Sequence, residues 1–346
     1  MFVNLNTAEI TKIDRFVDLK CRRPKSYGEL NQLYQLFSID FRQALEILIN
    51  RSLLGCSQRT ICNVELGWID KIPVVKSSAL TKRTELGDAV IFAYDQKCDS
   101  QGNLSQIAAR AVILQAKVAR SKTQLANPEV PVGYGKSTQD EFKLLSGWPQ
   151  FDLYNTGGTK KPCIQNVNVA PKCSPPSEAW FLVAPGRGIV AANRASWPCW
   201  WMAGKASSKA RCSTTIGTLL ADFFKGSSVS LQVGADFILP GSMSKSSKGK
   251  AACDWSDLCN EIRKILLIYK APVSIFGPSQ PRIYSILSQN RFTLDERKKL
   301  LQLRSTFAGR GCLPSRGSIN THSYREWGRE KRIPILNFTF TRFDED

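Results

Sequence analysis

Apolar residues near the start of the chain recur at helical spacing. From Gly28 onward, steps of three and four positions connect seven of them, namely Leu30, Leu33, Tyr34, Phe37, Phe41, Leu45 and Leu48. This spacing places them on one face of an α-helix. The pattern predicts a long amphipathic helix with a break near Ser38.

Three runs with strand character follow this helix. Residues 67–75, 88–94 and 109–119 are rich in β-branched and aromatic side chains. The loop between the last two runs is polar and contains Gly102, which predicts a hairpin. The third run is almost entirely apolar up to Gln115, so it predicts a strand that is buried on both faces.

The rest of the chain alternates further helices with irregular segments. Helical patterns cover residues 137–146, 213–225 and 256–270. The stretch 155–177 is rich in glycine, proline and lysine, and we place a domain boundary there, with domains at 1–155 and 178–346. These elements predict a mixed α+β fold.

The charge of the chain narrows the choice of partners. The 346 residues include 48 Lys and Arg against 29 Asp and Glu, which gives a net charge of +19, and 42% of the residues are hydrophobic, enough for a core. Residues 151–346 alone carry 28 basic and 14 acidic side chains. Such an excess favours a polyanionic partner, either nucleic acid or an acidic membrane surface. The single histidine, His322, excludes any site that needs two.

Two further observations predict a cytoplasmic protein. No stretch approaches the roughly 18 to 20 apolar residues of a membrane span, and the first residues lack the basic start and apolar core of a signal peptide. The eleven cysteines contain no CxxC pair, and we expect most of them to be small buried residues. Membrane binding is therefore not expected.

One group of residues could carry chemistry. Asp88 opens the second strand run, and the third run ends in Gln115, Ala116 and Lys117. Because strand side chains alternate, Gln115 and Lys117 project from the same face, about 7 Å apart. In a hairpin, Asp88 would lie close to both. A carboxylate, an amide oxygen and an ammonium together suit Mg²⁺- or Mn²⁺-dependent hydrolysis of phosphodiesters.

At these positions the chain resembles the PD-(D/E)XK, or restriction-endonuclease-like, nuclease superfamily. Asp88 matches the metal-binding aspartate, and Gln115 and Lys117 match the Q-x-K variant of the motif, while Gly87 stands where the family has proline. The resemblance covers about residues 28–150. It implies a core in which a mixed β-sheet is flanked by helices.

The resemblance also implies roles for these residues. Asp88, Gln115 and Glu85 would hold the metal ion, and Lys117 would position water and stabilise the transition state. Some members of the family use an additional glutamate. Glu85 is the nearer candidate for this role, and Glu46, in the long helix, is the more distant one. Glutamine in place of glutamate removes one negative charge from the ion site, which weakens Mg²⁺ binding unless another carboxylate compensates.

The second half of the chain is expected to be a basic α+β domain that binds nucleic acid, with DNA favoured as the substrate. Its candidate phosphate contacts are Arg310, Arg316, Lys248 and Lys250. The superfamily suggests an endonuclease of bacterial restriction or phage defence, acting as a homodimer or with a partner protein.

Three alternatives stay open. One is a peripheral protein at the inner leaflet of the membrane, which would bind acidic lipid without preference for nucleic acid. The chain could be a non-catalytic nucleic-acid-binding protein on a degenerate nuclease scaffold. The three site residues could also have purely structural roles, with Asp88 in a turn, Gln115 on a sheet edge and Lys117 at a solvated strand end.

Overall fold

The computed structural model describes residues 2–22, 27–56, 58–69, 73–119, 136–171, 173–187, 199–206, 212–225, 232–240, 254–264, 266–268, 291–309 and 333–344. The helices in these residues are α1 (Thr7–Cys21), α2 (Glu29–Leu36), α3 (Ile39–Leu54), α4 (Lys136–Gly147), α5 (Ile216–Lys225), α6 (Trp255–Lys264) and α7 (Leu294–Gly309). The strands are β1 (Thr60–Ile69), β2 (Val74–Lys76), β3 (Thr84–Glu85), β4 (Ala89–Cys98), β5 (Leu104–Ala119), β6 (Phe151–Tyr154), β7 (Ile164–Val167), β8 (Ala179–Pro185), β9 (Met202–Lys205), β10 (Thr214–Thr215), β11 (Ala235–Asp236), β12 (Leu266–Ile268) and β13 (Ile333–Phe343).

The predicted break in the first amphipathic stretch is confirmed. α2 ends at Leu36 and α3 begins at Ile39. Ser38 caps α3, because its hydroxyl accepts a hydrogen bond from the Phe41 amide at 3.2 Å. Such a cap satisfies one of the free amides at a helix start and favours a new helix over continuation of the old one.

A large mixed sheet forms the centre of the fold. Its strands run in the order β10-β9-β8-β5-β4-β13-β1-β12, and β11 pairs with β5 outside this path. The pairs β4–β13 and β5–β8 are parallel, and the other neighbouring pairs are antiparallel. The predicted mixed α+β class is therefore confirmed.

Helices cover both faces of this sheet. On one face, residues of α2, α3 and α5 pack against Ile91, Leu114, Leu182 and Leu336 of the central strands. On the other face, Phe142 of α4 lies 6.2 Å from Phe181 of β8 between ring centroids. Because Phe181 pairs with Gln115 across β8 and β5, α4 covers the face from which Gln115 projects.

The predicted hairpin between β4 and β5 is also confirmed. The two strands pair from Ala89↔Leu114 to Cys98↔Leu104. The turn uses Gly102 at φ +86°, where a β-carbon would meet the Phe292 carbonyl at 2.3 Å, so glycine is required there. The centre of β5 is buried on both sides from Ala109 to Lys117, as its apolar sequence predicted.

A second, four-stranded sheet lies beside the start of β4. Its order is β3-β2-β6-β7, and its strands are antiparallel. β3 ends at Glu85, so only two residues separate this small sheet from Asp88. The small sheet therefore borders the predicted site.

Two features of the second half differ from simple expectation. The predicted helix over 256–270 is too long, because α6 ends at Lys264 and residues 266–268 form β12 against β1. β13 lies between β1 and β4, so strands from both sides of the boundary predicted at 155–178 share the main sheet.

Among the described helices, none has the length and apolar character to cross a membrane.

Candidate functional site

The hairpin brings Asp88 and Gln115 into direct contact. The Asp88 amide donates to the Leu114 carbonyl at 2.8 Å, which extends the β4–β5 pairing by one residue beyond Ala89. The Asp88 carboxylate accepts hydrogen bonds from the Ala116 amide at 2.9 Å and from Gln115 Nε2. Asp88 and Gln115 are 4% and 1% exposed, so this polar contact lies inside the protein.

Gly87 has a steric reason to be glycine. A β-carbon at this position would lie 2.5 Å from Ile113 Cγ2 and 3.2 Å from the Leu114 carbonyl oxygen. The segment before β4 therefore approaches β5 so closely here that a larger residue would require Ile113 to shift. The close approach is also what places Asp88 against the backbone of Ala116.

Lys117 connects the strands to two helices. Its ammonium lies 2.8 Å from Glu141 Oε2 on α4 and 3.3 Å from Glu29 Oε1 at the start of α2. The Lys117 side chain is only 10% exposed, and that of Glu141 only 12%. A buried lysine needs such partners, because an unpaired ammonium is costly to remove from water.

Burial and neighbouring charges shift the pKa values of the carboxylates in this site. Burial raises the pKa of Asp88 well above its ordinary value; Lys117 opposes this rise, and the charges of Glu29 and Glu85 add to it. Burial also raises the pKa of Glu29, with Lys117 opposing and Glu141 and Glu85 contributing. The site therefore disfavours the full set of negative charges that its residues could carry.

The same charges act on Lys117 in the opposite direction. Burial alone would lower the pKa of Lys117, but Glu29, Asp88 and Glu141 together outweigh burial and raise it above its ordinary value. Lys117 is therefore a charged ammonium at neutral pH. It is surrounded by more negative side chains than it can neutralise alone.

The site contains oxygen atoms of the types that bind a hard divalent cation. Gln115 Oε1 is buried and has no hydrogen-bond partner, so the amide whose Nε2 donates to Asp88 has unused acceptor capacity at its oxygen. Carboxylate and amide oxygens are the ligands that Mg²⁺ and Mn²⁺ prefer. Within the described part of the chain, no three acidic, cysteine or histidine side chains form a ready metal-binding group. A site here would therefore need Gln115 as one of its oxygen donors.

The two glutamates predicted as additional ligands lie in different surroundings. Glu85 is exposed on β3 and acts electrostatically on Asp88 and Glu29. Glu46 is buried on α3, where it lies 2.9 Å from the Arg42 guanidinium. The glutamates that the helices bring to Lys117 are instead Glu29 on α2 and Glu141 on α4.

The sequence interpretation missed Glu29 and Glu141. The break near Ser38 divides the first amphipathic stretch into two helices, and Glu29 is the first residue of the earlier one. Glu141 lies within the predicted helix 137–146, and nothing local distinguishes it from Asp140 beside it. A search for acidic residues in both helices that flank the hairpin would have included both glutamates.

The other predicted contacts cannot be placed around this site. Arg310, Arg316, Lys248 and Lys250 lie outside the described residues.

Comparisons with protein-family models, with curated proteins and with solved structures found no match to this chain.

Proposed function

We propose that this chain is a metal-dependent nuclease that hydrolyses phosphodiester bonds, with DNA as the favoured substrate. The observation that carries the proposal is the convergence of Asp88, Gln115 and Lys117 at one end of the β4–β5 hairpin. Two further carboxylates, Glu29 and Glu141, reach the same lysine. The mixed sheet with helices on both faces supports a restriction-endonuclease-like core.

The residues divide into two roles. Asp88, the Gln115 amide oxygen and Glu29 would hold Mg²⁺ or Mn²⁺, with Glu85 close enough to add negative charge. Such an ion supplies a Lewis acid that polarises the phosphodiester and lowers the pKa of water. Lys117 remains charged because of its carboxylate neighbours. Its ammonium can therefore orient the attacking water and stabilise negative charge that develops on phosphate oxygens.

The fit to a cation follows from charge as well as from ligand type. The charges of Glu29, Asp88 and Glu141 all act on Lys117. Burial raises the pKa of Asp88 and of Glu29, and repulsion from neighbouring carboxylates adds to both rises. A divalent cation would offset this repulsion. Gln115 in place of a glutamate leaves the site with one negative charge fewer, which Glu29 can supply.

The test is cleavage by the purified full chain. Plasmid, linear duplex, single-stranded DNA and RNA are incubated with Mg²⁺, with Mn²⁺ or with EDTA. We expect cleavage that requires the metal and that is lost in Asp88→Ala and Lys117→Ala. Cleavage that persists in both variants would contradict the site, and the absence of any cleavage would contradict the function. Restriction or phage defence is the setting we propose for such an activity.

A second function is favoured by one contact. Lys117 is engaged by Glu29 and Glu141, an arrangement that a non-catalytic nucleic-acid-binding protein could keep for stability alone. That protein would bind DNA without metal and would not cut it. Calorimetric titration of the protein–DNA complex with Mn²⁺ distinguishes the two functions, because only the nuclease should bind the ion with an affinity that Asp88→Asn abolishes.

A further inference from the structure

Exposed basic residues collect beside the candidate site, on the small sheet and α4. Lys82, Lys143, Lys160 and Lys161 are all exposed. In the two stretches that carry them, 73–88 and 138–163, Glu85 is the one exposed acidic residue. We call the four lysines, together with the turn at residues 156–159, the basic flank.

The part of the basic flank that carries Lys160 and Lys161 is firmly attached to the segment that leads to Asp88. Arg83 Nη1 donates to the carbonyls of Gly157 and Thr159 at 2.8 and 2.9 Å. Its guanidinium also lies 4.0 Å from the centroid of the Tyr154 ring. Arginine held by two hydrogen bonds and an aromatic ring has a fixed position, and it fixes the loop with it.

α4 is attached to the same segment from the other side. The Asp140 carboxylate accepts hydrogen bonds from the Thr81 amide, at 3.1 and 3.2 Å to its two oxygens, and from the Thr81 hydroxyl. This contact places Lys143, which interacts electrostatically with Asp140, close to the segment that carries Lys82. The segments that carry the four lysines are therefore held to one another, although they come from three parts of the chain.

This surface lies within reach of the proposed chemistry. Arg83 and Asp88 are five residues apart, and a fully extended chain of that length spans less than about 18 Å. Neighbouring phosphates on one strand of a duplex are about 3.4 Å apart along the helix axis. A strand with one phosphate at Asp88 could therefore present several neighbouring phosphates to the basic flank.

The turn within the basic flank has no side chains at its tip. It is closed by a hydrogen bond from the Thr159 amide to the Thr156 carbonyl at 3.1 Å, with Gly157 and Gly158 at its tip. Neither glycine has a positive φ, and a β-carbon on Gly157 would meet nothing within 4 Å. Folding does not require glycine here. The absence of side chains does allow a phosphate to approach the peptide groups, which are common phosphate contacts.

We propose that the basic flank binds the phosphodiester backbone of nucleic acid and guides it to Asp88 and Lys117. The inference rests on the proposed function, and it assigns binding of the phosphodiester backbone to residues of the basic flank. The charge of the flank and its bare turn suit a regular row of phosphates. The same charge could attract anionic lipid, which the experiment tests separately.

The experiment compares two double charge reversals in the full chain. Lys160→Glu/Lys161→Glu changes the flank. Lys12→Glu/Arg15→Glu changes two exposed basic residues on α1, a helix that packs on α2, α3 and α5, and so serves as the matched control. Binding to labelled duplex and single-stranded DNA is measured in EDTA over a series of salt concentrations. Thermal melts establish that both variants fold.

We expect the flank variant to bind at least about tenfold more weakly at low salt. The slope of log Kd against log salt should fall by about 2 for duplex DNA, since each phosphate contact contributes about 0.9. The control should keep the wild-type slope. Lys160→Gln/Lys161→Gln should lose the same slope with a smaller loss of affinity.

The other outcomes overturn the inference in distinguishable ways. If the flank variant and the control have equal slopes while wild type binds DNA, the flank is not the binding surface, although the nuclease proposal stands. If wild type binds no nucleic acid, both proposals fail. If the flank variant loses binding to phosphatidylserine vesicles and keeps binding to DNA, the surface is a membrane contact.

Discussion

Two buried groups of charged residues in this protein differ in their balance of charge. On α3, Arg42 lies 2.9 Å from Glu46 and donates to the Val64 carbonyl at 2.8 Å. One cation faces one anion, and both side chains are less than 10% exposed. At the end of the β4–β5 hairpin, Lys117 faces Glu29, Asp88 and Glu141. One cation there faces three carboxylates.

This difference distinguishes a charged pair that belongs to the folded core from a charged group that could bind a ligand. A balanced buried pair has little to gain from a further ion. Asn50 supports this pair, because its side chain bonds the Glu46 carbonyl and both backbone groups of Cys62. The unbalanced group keeps an excess of negative charge that a divalent cation could offset. An imbalance of this kind has a cost in stability that is characteristic of functional sites.

The largest expected effect is on cleavage when Lys117 is changed. Lys117→Met should lower the cleavage rate at least about 10³-fold, because the site loses the charge that stabilises the developing phosphate charge. The rate is measured under single-turnover conditions with Mn²⁺. Lys97→Met, at an exposed lysine paired with Asp344, is the matched control and should cut at the wild-type rate. Equal rates for the two variants would remove Lys117 from the mechanism.

The balanced pair should respond in stability and not in chemistry. Arg42→Met leaves Glu46 buried without its cation, and the free energy of unfolding should fall by about 3 kcal/mol. Urea unfolding measures the loss. Arg42→Met/Glu46→Leu should recover most of it, because it removes the stranded charge. A single-turnover cleavage rate that falls with Arg42→Met, while the protein remains folded, would contradict the separation of the two groups.

The sequence predicted the local parts of this site and missed its surroundings. The β4–β5 hairpin followed from two apolar runs and a polar loop, and with it the proximity of Asp88 and Gln115. Those features depend on residues that are close in sequence. The ion pairs of Lys117 depend on how α2 and α4 pack over β5, and no pattern near Glu29 or Glu141 reveals that packing.

The same difference between local and long-range contacts determines which parts of the fold could be predicted. Periodicity predicted the α2–α3 stretch, the β4–β5 hairpin and the helices α4, α5 and α6, but not α1, α7 or the strands after β5. The place of β13 between β1 and β4 was not predicted either. β13 pairs with β4, more than 200 residues earlier, through a register that begins at Ile335↔Val90. Alternation along β13 indicates a strand and gives no partner. A boundary drawn from a Gly/Pro/Lys-rich segment likewise cannot show that later strands return to an earlier sheet.

A smaller effect should appear in the stability of Asp88→Asn. The pKa of Asp88 is raised above its unfolded value, so between these two values the native state holds a proton that the unfolded state has released. Wild-type stability is therefore lost as pH rises through this window. Asparagine keeps the acceptor for the Ala116 amide and removes the charge. In EDTA, urea unfolding should show a variant that is more stable by on the order of 1 kcal/mol above the window, with a smaller difference at acidic pH.

Two results would oppose this interpretation of Asp88. A variant that is less stable than wild type at every pH would mean that the Asp88 carboxylate stabilises the fold. A gain in stability that is independent of pH would mean that the charge of Asp88 is not its cause. Asp140→Asn is the control, because the pKa of Asp140 is lowered, burial being outweighed by the hydrogen bonds from Thr81, so its replacement should destabilise the protein.

The smallest expected effect distinguishes a positioning role of Glu141 from a structural one. Glu141 is one of the carboxylates that raise the pKa of Lys117, so Glu141→Gln should lower that pKa. If charged Lys117 is needed for cleavage, the basic limb of the pH–rate profile should move to lower pH. Glu261→Gln makes the same chemical change beside Lys264, and it should leave the profile in place. An unmoved basic limb in Glu141→Gln, with a lower rate at every pH, would mean that Glu141 only holds α4 against β5 and does not tune Lys117.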